Sequence, residues 1–196
     1  MAAESSSKEI YRSTLAADLW WYDVAKPSFR HRLSEPIVCF HVALRRCEHR
    51  KRLATSPIGR VRYLWARLRL ARWERVLGFD VPLDVFGPGL SIPHIGTVVV
   101  NAGARVGSNC RLHPGVTLGA TGAGAPVLGD DVFVGPGAGI FGAVTIGDRC
   151  HIGPGCVVTT SLPDDTLVVP PPVDTRPLTR PTWQAQQREK RGSGPQ

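Results

Sequence analysis

LGDDVF, VGPGAG, IFGAVT, IGDRCH, IGPGCV and VTTSLP follow one another without a break from Leu128 to Pro163. Their lead positions, Leu128, Val134, Ile140, Ile146, Ile152 and Val158, are aliphatic, the next place is often Gly, and the fifth is small or β-branched. Upstream the same beat runs through FGPGLS and IPHIGT, an eight-residue unit from Val98, then VGSNCR, LHPGVT and a stub at Leu118, so the repeat extends from Phe86 to Leu162. A six-residue unit of this kind makes a short strand that buries two side chains and then turns. Three strands close one triangular coil, and stacked coils share a core. A helix needs apolar residues at 3.6-residue spacing and does not tolerate this density of Gly and Pro. The expected fold is mainly β: a left-handed parallel β-helix, a hexapeptide-repeat solenoid, preceded by a small α-helical region.

The division expected is an α-helical N-terminal region over 1–79, a β-helix over 80–168 and a Pro-rich cap and tail over 169–196, without fixed structure from about residue 182. Within the first region, SKEIYRSTLAADLWWYDVAKPSFRHRL (7–33) reads as one helix stopped by Pro27. Residues 36–53 read as a second. Pro57 to Leu77 reads as a third, capped by Ser56 and ended by Gly78, with Ile58, Val61, Leu64, Trp65, Leu68, Trp73, Val76 and Leu77 at helical spacing.

Charge is unevenly spread beneath the total of +8: 16 Lys/Arg against 7 Asp/Glu in 1–79 is +9, 3 against 5 in 80–163 is −2, and 5 against 4 thereafter is +1. The six arginines of the third helix, from Arg60 to Arg75, fit a solvated face or a cover for a partner subunit's acidic rim. No nucleic-acid motif accompanies them, so no nucleic-acid partner is expected. An anionic membrane surface, suggested by Trp65 and Trp73, is the weaker alternative, and membrane association is not expected. Five cysteines without a secretory signal imply reduced thiols and a cytoplasmic protein. Cys110, Cys150 and Cys156 occupy fifth places and read as core. No uncharged apolar run reaches the roughly 18 residues of a membrane span.

Two interruptions stand out. Val98 to Val106 is eight residues and Leu118 to Leu128 is ten. Extra residues in a solenoid leave as loops, and loops on one face are where solenoids bind. GATGAGAPV (119–127) is glycine-rich enough to expose backbone N–H groups. Near the first break, His94 sits at the turn-side third place of IPHIGT. An exposed turn histidine and a general base acting on a hydroxyl are equally compatible with that place; Asp80 is a candidate carboxylate to orient it.

GFDVP, FGPGLSIPHIG, TVVVNAGARVGSNCRLHPGVTLGATG, GAPVLGDDVFVGPGAGIFGAVTIGD and IGPGCVVTTSLPDD together resemble the serine O-acetyltransferase family of left-handed β-helix acyltransferases, in its short polysaccharide-associated form. The likeness covers roughly 78–168, and AADLWWYDVAKPSFRHRL resembles the helical start of the same short members. It implies transfer of an acetyl group from acetyl-CoA to a hydroxyl, first of all that of L-serine to give O-acetylserine in cysteine biosynthesis. With one residue deleted before FGPG, the family's catalytic pair falls on His94, as general base, and Asp80, as its orienting carboxylate. Gly119, Ala120, Thr121 and Gly122, with Gly135 and Ala138, fall on the acetyl-CoA side, and Pro93 and His113 on the acceptor side. A homotrimer with the coenzyme between subunits is implied, and no metal.

The chain also departs from the family. Pro93 stands where the cysteine-pathway enzymes have Asp, Ala125-Pro126-Val127-Leu128 replaces HPKI, VVPPPVDTRPL replaces the closing GxPA segment, and 79 residues of helix are too few for the family's hexamer. A sugar or other small hydroxyl is therefore the alternative acceptor, and a non-catalytic scaffold a third reading. A zinc site of His94, His113 and His151 is not expected, because their third, second and sixth places should face different directions.

Overall fold

A computed structural model describes residues 2–25, 27, 28, 31 and 34–172. Three helices, α1 (Ala2–Trp20), α2 (Pro36–Arg52) and α3 (Pro57–Leu77), lead into twelve strands of two or three residues, from β1 (Phe79–Asp80) to β12 (Leu167–Val168). The strands are parallel and fall into three sheets. The first holds β1, β2 (Val98–Val100), β5 (Thr117–Gly119), β8 (Gly139–Phe141) and β11 (Val157–Val158). The second holds β4 (Arg111–Leu112), β7 (Phe133–Val134), β10 (His151–Ile152) and β12; the third holds β3 (Arg105–Val106), β6 (Val127–Leu128) and β9 (Thr145–Ile146). Each coil takes one strand from each sheet, giving a left-handed parallel β-helix of about five turns.

The lead residues stack in three inward columns. Leu118, Ile140 and Val158 form one, Leu112, Val134 and Ile152 the second, and Val106, Leu128 and Ile146 the third, all buried. The fifth-place residues Cys110, Ala138, Cys150 and Cys156 are buried beside them, as a narrow prism requires small groups there. One corner is turned by Asn109, Asp131, Arg149 and Asp165, all at φ of +56 to +58°. Asn and Asp tolerate that region, and Arg149 is held there by Asp165 at 2.6 and 2.8 Å.

α3 has the ends its sequence specifies: the Ser56 side chain accepts from Gly59 N–H, and Gly78 closes the helix at φ +79°. Of the apolar residues at helical spacing, Leu77 is buried and Trp73 packs partly against the core. Ala66, Leu70 and Leu77 point inward, whereas Ile58, Val61, Leu64, Trp65, Leu68 and Val76 are each more than half exposed. Leu70 and Leu77 join Phe40, Leu44 and Phe79 in the core that continues into the first coil, so the helical region and the β-helix share one interior.

α1 differs from expectation. It ends at Trp20, well before Pro27, where the chain turns through Asp23 at φ +55°. The cause is tertiary. Trp21 Nε1 donates to the Gly89 carbonyl at 2.9 Å, and the Tyr22 hydroxyl accepts from Ile92 N–H at 2.9 Å, so both leave the helix to reach the first coil. The stretch beyond Pro27 is only partly within the described residues, and the expected tail lies outside them.

Candidate active site

Both interruptions of the repeat project from the same corner of successive coils. The first is Asn101–Ala104, where Asn101 Oδ1 accepts from Gly103 N–H at 2.8 Å. The second follows β5, where Thr121 and Gly124 exchange backbone hydrogen bonds at 2.8 and 3.0 Å. It lies on the next coil through Gly142 N–H to Gly119 O at 3.0 Å. Asp80 pairs in register with Val99, and Val99 with Thr117, so these outward side chains form one ladder beside the two loops. Together they enclose an open groove of about 450 Å³, with Asp80, Asn101, Ala102, Thr117, Gly119 and Ala120 on its walls. A Cβ at Gly119 would lie 2.5 Å from the Phe141 ring, so this wall stays bare backbone.

His94 occupies the adjoining turn, exposed, between buried Ile92 and β2. Its turn is fixed by Gly96, whose N–H donates to Leu77 O at 3.1 Å and whose φ of +149° lets it press on Pro114. Val98 N–H donates to Gly78 O at 3.1 Å, which ties the same turn to the residues just before Asp80. His94 and Asp80 thus lie towards opposite ends of one coil, and no hydrogen bond or ion pair joins them among the described residues.

The ring nearest His94 is that of His113, with centroids 5.8 Å apart. His113 lies 5.0 Å from Phe133, and Phe133 stacks on His151 at 4.1 Å. The expectation that the three histidines face different directions is thus wrong: successive coils bring them onto one flank because second- and sixth-place residues both border the lead position of the same sheet. Phe133 separates His151 from the other two, and among the described residues no cluster of three or more His, Cys, Asp or Glu is placed to hold a metal. Burial, then the charges of Arg111 and His94, hold the His113 pKa below the ordinary histidine value, so it is a neutral donor or acceptor at pH 7.

Ala138 is fully buried in the coil core and Gly135 is buried with its N–H on Ile152 O at 2.8 Å, so neither faces a ligand within this chain. The Thr121 N–H is taken by Gly124, and a side chain at Gly122 would meet nothing within 4 Å, so the loop is open there. Pro93 is partly exposed beside His94 and offers no N–H of its own.

The sequence reading missed a buried polar cluster that supports this site. Asp18 of α1 is fully buried and accepts from Arg45 Nε (2.7 Å), Arg45 Nη2 (3.1 Å), Gly89 N–H (2.9 Å) and Leu90 N–H (3.0 Å). Arg45 also donates to the carbonyls of Phe86 and Gly87 at 3.0 and 2.7 Å, and to Glu48 at 3.1 Å. The Tyr22 hydroxyl, while accepting from Ile92 N–H, lies 3.0 Å from His41 Nε2. On its other side the His41 ring places Nδ1 3.5 Å from Asp18 Oδ2. The helices thereby hold residues 86–92, the segment that delivers Pro93 and His94. The available signal was a charge placed inside an apolar stripe: Asp18 between Leu15 and Leu19, Arg45 between Leu44 and Cys47.

Residues 125–160 match the family model described as bacterial transferase hexapeptide (six repeats). The chain is 41% identical over 170 residues to a serine acetyltransferase of Synechococcus elongatus, covering 80% of this chain and 65% of that protein. The chain is thus similar to hexapeptide-repeat serine acetyltransferases. A second serine acetyltransferase, from Mycobacterium tuberculosis, is 36% identical over 119 residues, covering 55% of this chain and 52% of that one. Soybean serine acetyltransferase, solved as the apoenzyme, superposes with a TM-score of 0.64 at 29% identity, over 85% of this chain and 69% of that one. The chain thus spans only about half to two thirds of the length of these two sequence relatives.

Proposed function

We propose that this protein transfers the acetyl group of acetyl-CoA to a small hydroxyl acceptor, with L-serine the first candidate and O-acetylserine, a cysteine precursor, the product. The observation that carries the reading is the groove at the double break in the repeat, with Asp80 on one wall, backbone of Gly119 and Ala120 on the other, and His94 on the adjoining turn.

In this mechanism neutral His94 removes the proton from the acceptor hydroxyl as its oxygen attacks the thioester carbonyl. Negative charge develops on the carbonyl oxygen, and backbone N–H groups of the glycine-rich loop are suited to receive it. Collapse breaks the carbon–sulfur bond, and the thiolate leaves with the proton held by His94. Asp80 orients the imidazole once acceptor and coenzyme order the turn. The chemistry uses two organic substrates and needs no metal.

The coenzyme lies between subunits of a homotrimer, which fits a groove left open on the single chain, and the protein works in the cytoplasm. A sugar or other small hydroxyl acceptor without an amino group is the second reading. Pro93 supports it, because a proline cannot supply the charge that would recognise an amino group.

The test follows free thiol from acetyl-CoA while L-serine, amino alcohols and sugars are offered in turn to the wild type and to His94→Ala. Turnover with serine, lost in His94→Ala by about 10²- to 10⁴-fold, is the expected result. Turnover with sugars alone moves the acceptor. Absence of acetyl-CoA binding overturns the proposal.

A further inference from the structure

The outward face of α3 has no partner within the chain. Ile58, Val61, Trp65 and Leu68 recur at i, i+3, i+7 and i+10 and form one apolar strip, widened by Leu64 and Val76. Trp65 is 70% exposed and Ile58 67%. By helical spacing, Arg60 and Arg67 border the strip on one side and Arg62 and Arg69 on the other. Beyond Arg62 and Arg69, the cleft between α2 and α3, about 660 Å³, adds Arg46, Arg50 and Arg72.

These charges are not used inside the chain. Arg46, Arg50, Arg62, Arg69 and Arg72 make no ion pair or side-chain hydrogen bond among the described residues. The acid on this helix, Glu74, is held by Arg67 at 2.9 Å. An occupant must therefore present apolar matter along a line with anions beside it, chiefly on the side of Arg62 and Arg69. A second copy of the same face would set arginines against arginines and supply no acid. An anionic bilayer supplies both, with acyl chains for the strip and headgroup phosphates for the flanks.

We propose that α3 is an interfacial helix that seats the protein on anionic lipid surfaces, lying in the headgroup plane with Trp65 and Leu68 inserted. Its 21 residues lie flat and do not span, since no helix among the described residues is long and apolar enough to cross a membrane. The surface is separate from the acetyl-transfer groove, whose walls are strands and loops of the β-helix.

The full chain, mixed with sedimentable vesicles of phosphatidylglycerol in phosphatidylcholine, is expected to pellet with them, to stay in solution with phosphatidylcholine alone, and to be released as salt rises. Trp65→Ser/Leu68→Ser and Arg62→Glu/Arg69→Glu should each lower the partition coefficient by about tenfold or more, with unchanged circular dichroism. Failure of the wild type to pellet with anionic vesicles overturns the proposal, as does pelleting that persists unchanged in Trp65→Ser/Leu68→Ser. A smaller oligomer of that variant without vesicles also overturns it, because the strip is then an interface between copies. The wild-type dependence on lipid charge and salt decides the matter even if a variant fails to fold.

Discussion

Arg45 grips Asp18 with two parallel hydrogen bonds, Nε to Oδ2 at 2.7 Å and Nη2 to Oδ1 at 3.1 Å, and neither side chain reaches solvent. A buried charge left without its partner costs far more than the intact pair contributes. Arg45→Met should therefore destabilise the fold by about 3–5 kcal/mol, read as a shift of the urea midpoint. Burial raises the Asp18 pKa, but the His41 contact and Arg45 lower it further, leaving it below the ordinary carboxylate value. Its contribution is complete above that ordinary value and is lost as pH falls through the folded one. An acid urea series should show this loss in the wild type and a flatter limb in Asp18→Asn.

Tyr22 gives the opposite pH dependence. Burial pushes its phenol up to about 12 from an ordinary 10. Between those values the unfolded chain ionises first, so stability falls as pH rises, and Tyr22→Phe should remove this alkaline component. At neutral pH the same variant leaves the Ile92 N–H unpaired and should cost about 1–3 kcal/mol. Because Ile92 precedes Pro93 and His94, thiol release should slow as well.

Excision of Thr121–Gly124 restores six residues between Leu118 and Leu128. The coil should then close without its loop, and the melting temperature should stay within about 5 °C, as solenoids absorb such changes at corners. Acetyl transfer should be lost, because the wall carrying the backbone N–H groups of the glycine-rich loop is gone.

Two leucines on α3 report which face is inside. Leu70→Ala, at a fully buried position, should cost about 2–5 kcal/mol. Leu68→Ala, at a 55% exposed position, should change stability by no more than about 0.5 kcal/mol in the absence of lipid. Paired thermal melts of the two variants measure the contrast.

The β-helix was legible because its signal is periodic: each lead residue repeats the same instruction, and two irregular intervals mark the groove. The ends of α3 were equally plain, since Ser56, Pro57 and Gly78 act locally. Its orientation was not, because Leu68 and Leu70 are equally apolar and only packing on Phe40 and the first coil separates them. The Asp18 cluster joins residues 27 and 71 positions apart without any repeat. The relation of His94 to His113 was missed for a similar reason. It depends on how one coil lies over the next.

A stack of parallel strands is open-ended by construction, and an uncovered end invites another strand or another stack. Here the first coil shares its interior with α2 and α3, so that end is closed by helices. At the other, β12 is followed by Pro170, Pro171 and Pro172, which have no N–H to offer a further strand. Helices at one end and prolines at the other make the repeat finite, so that a motif able to polymerise instead yields a particle of fixed length.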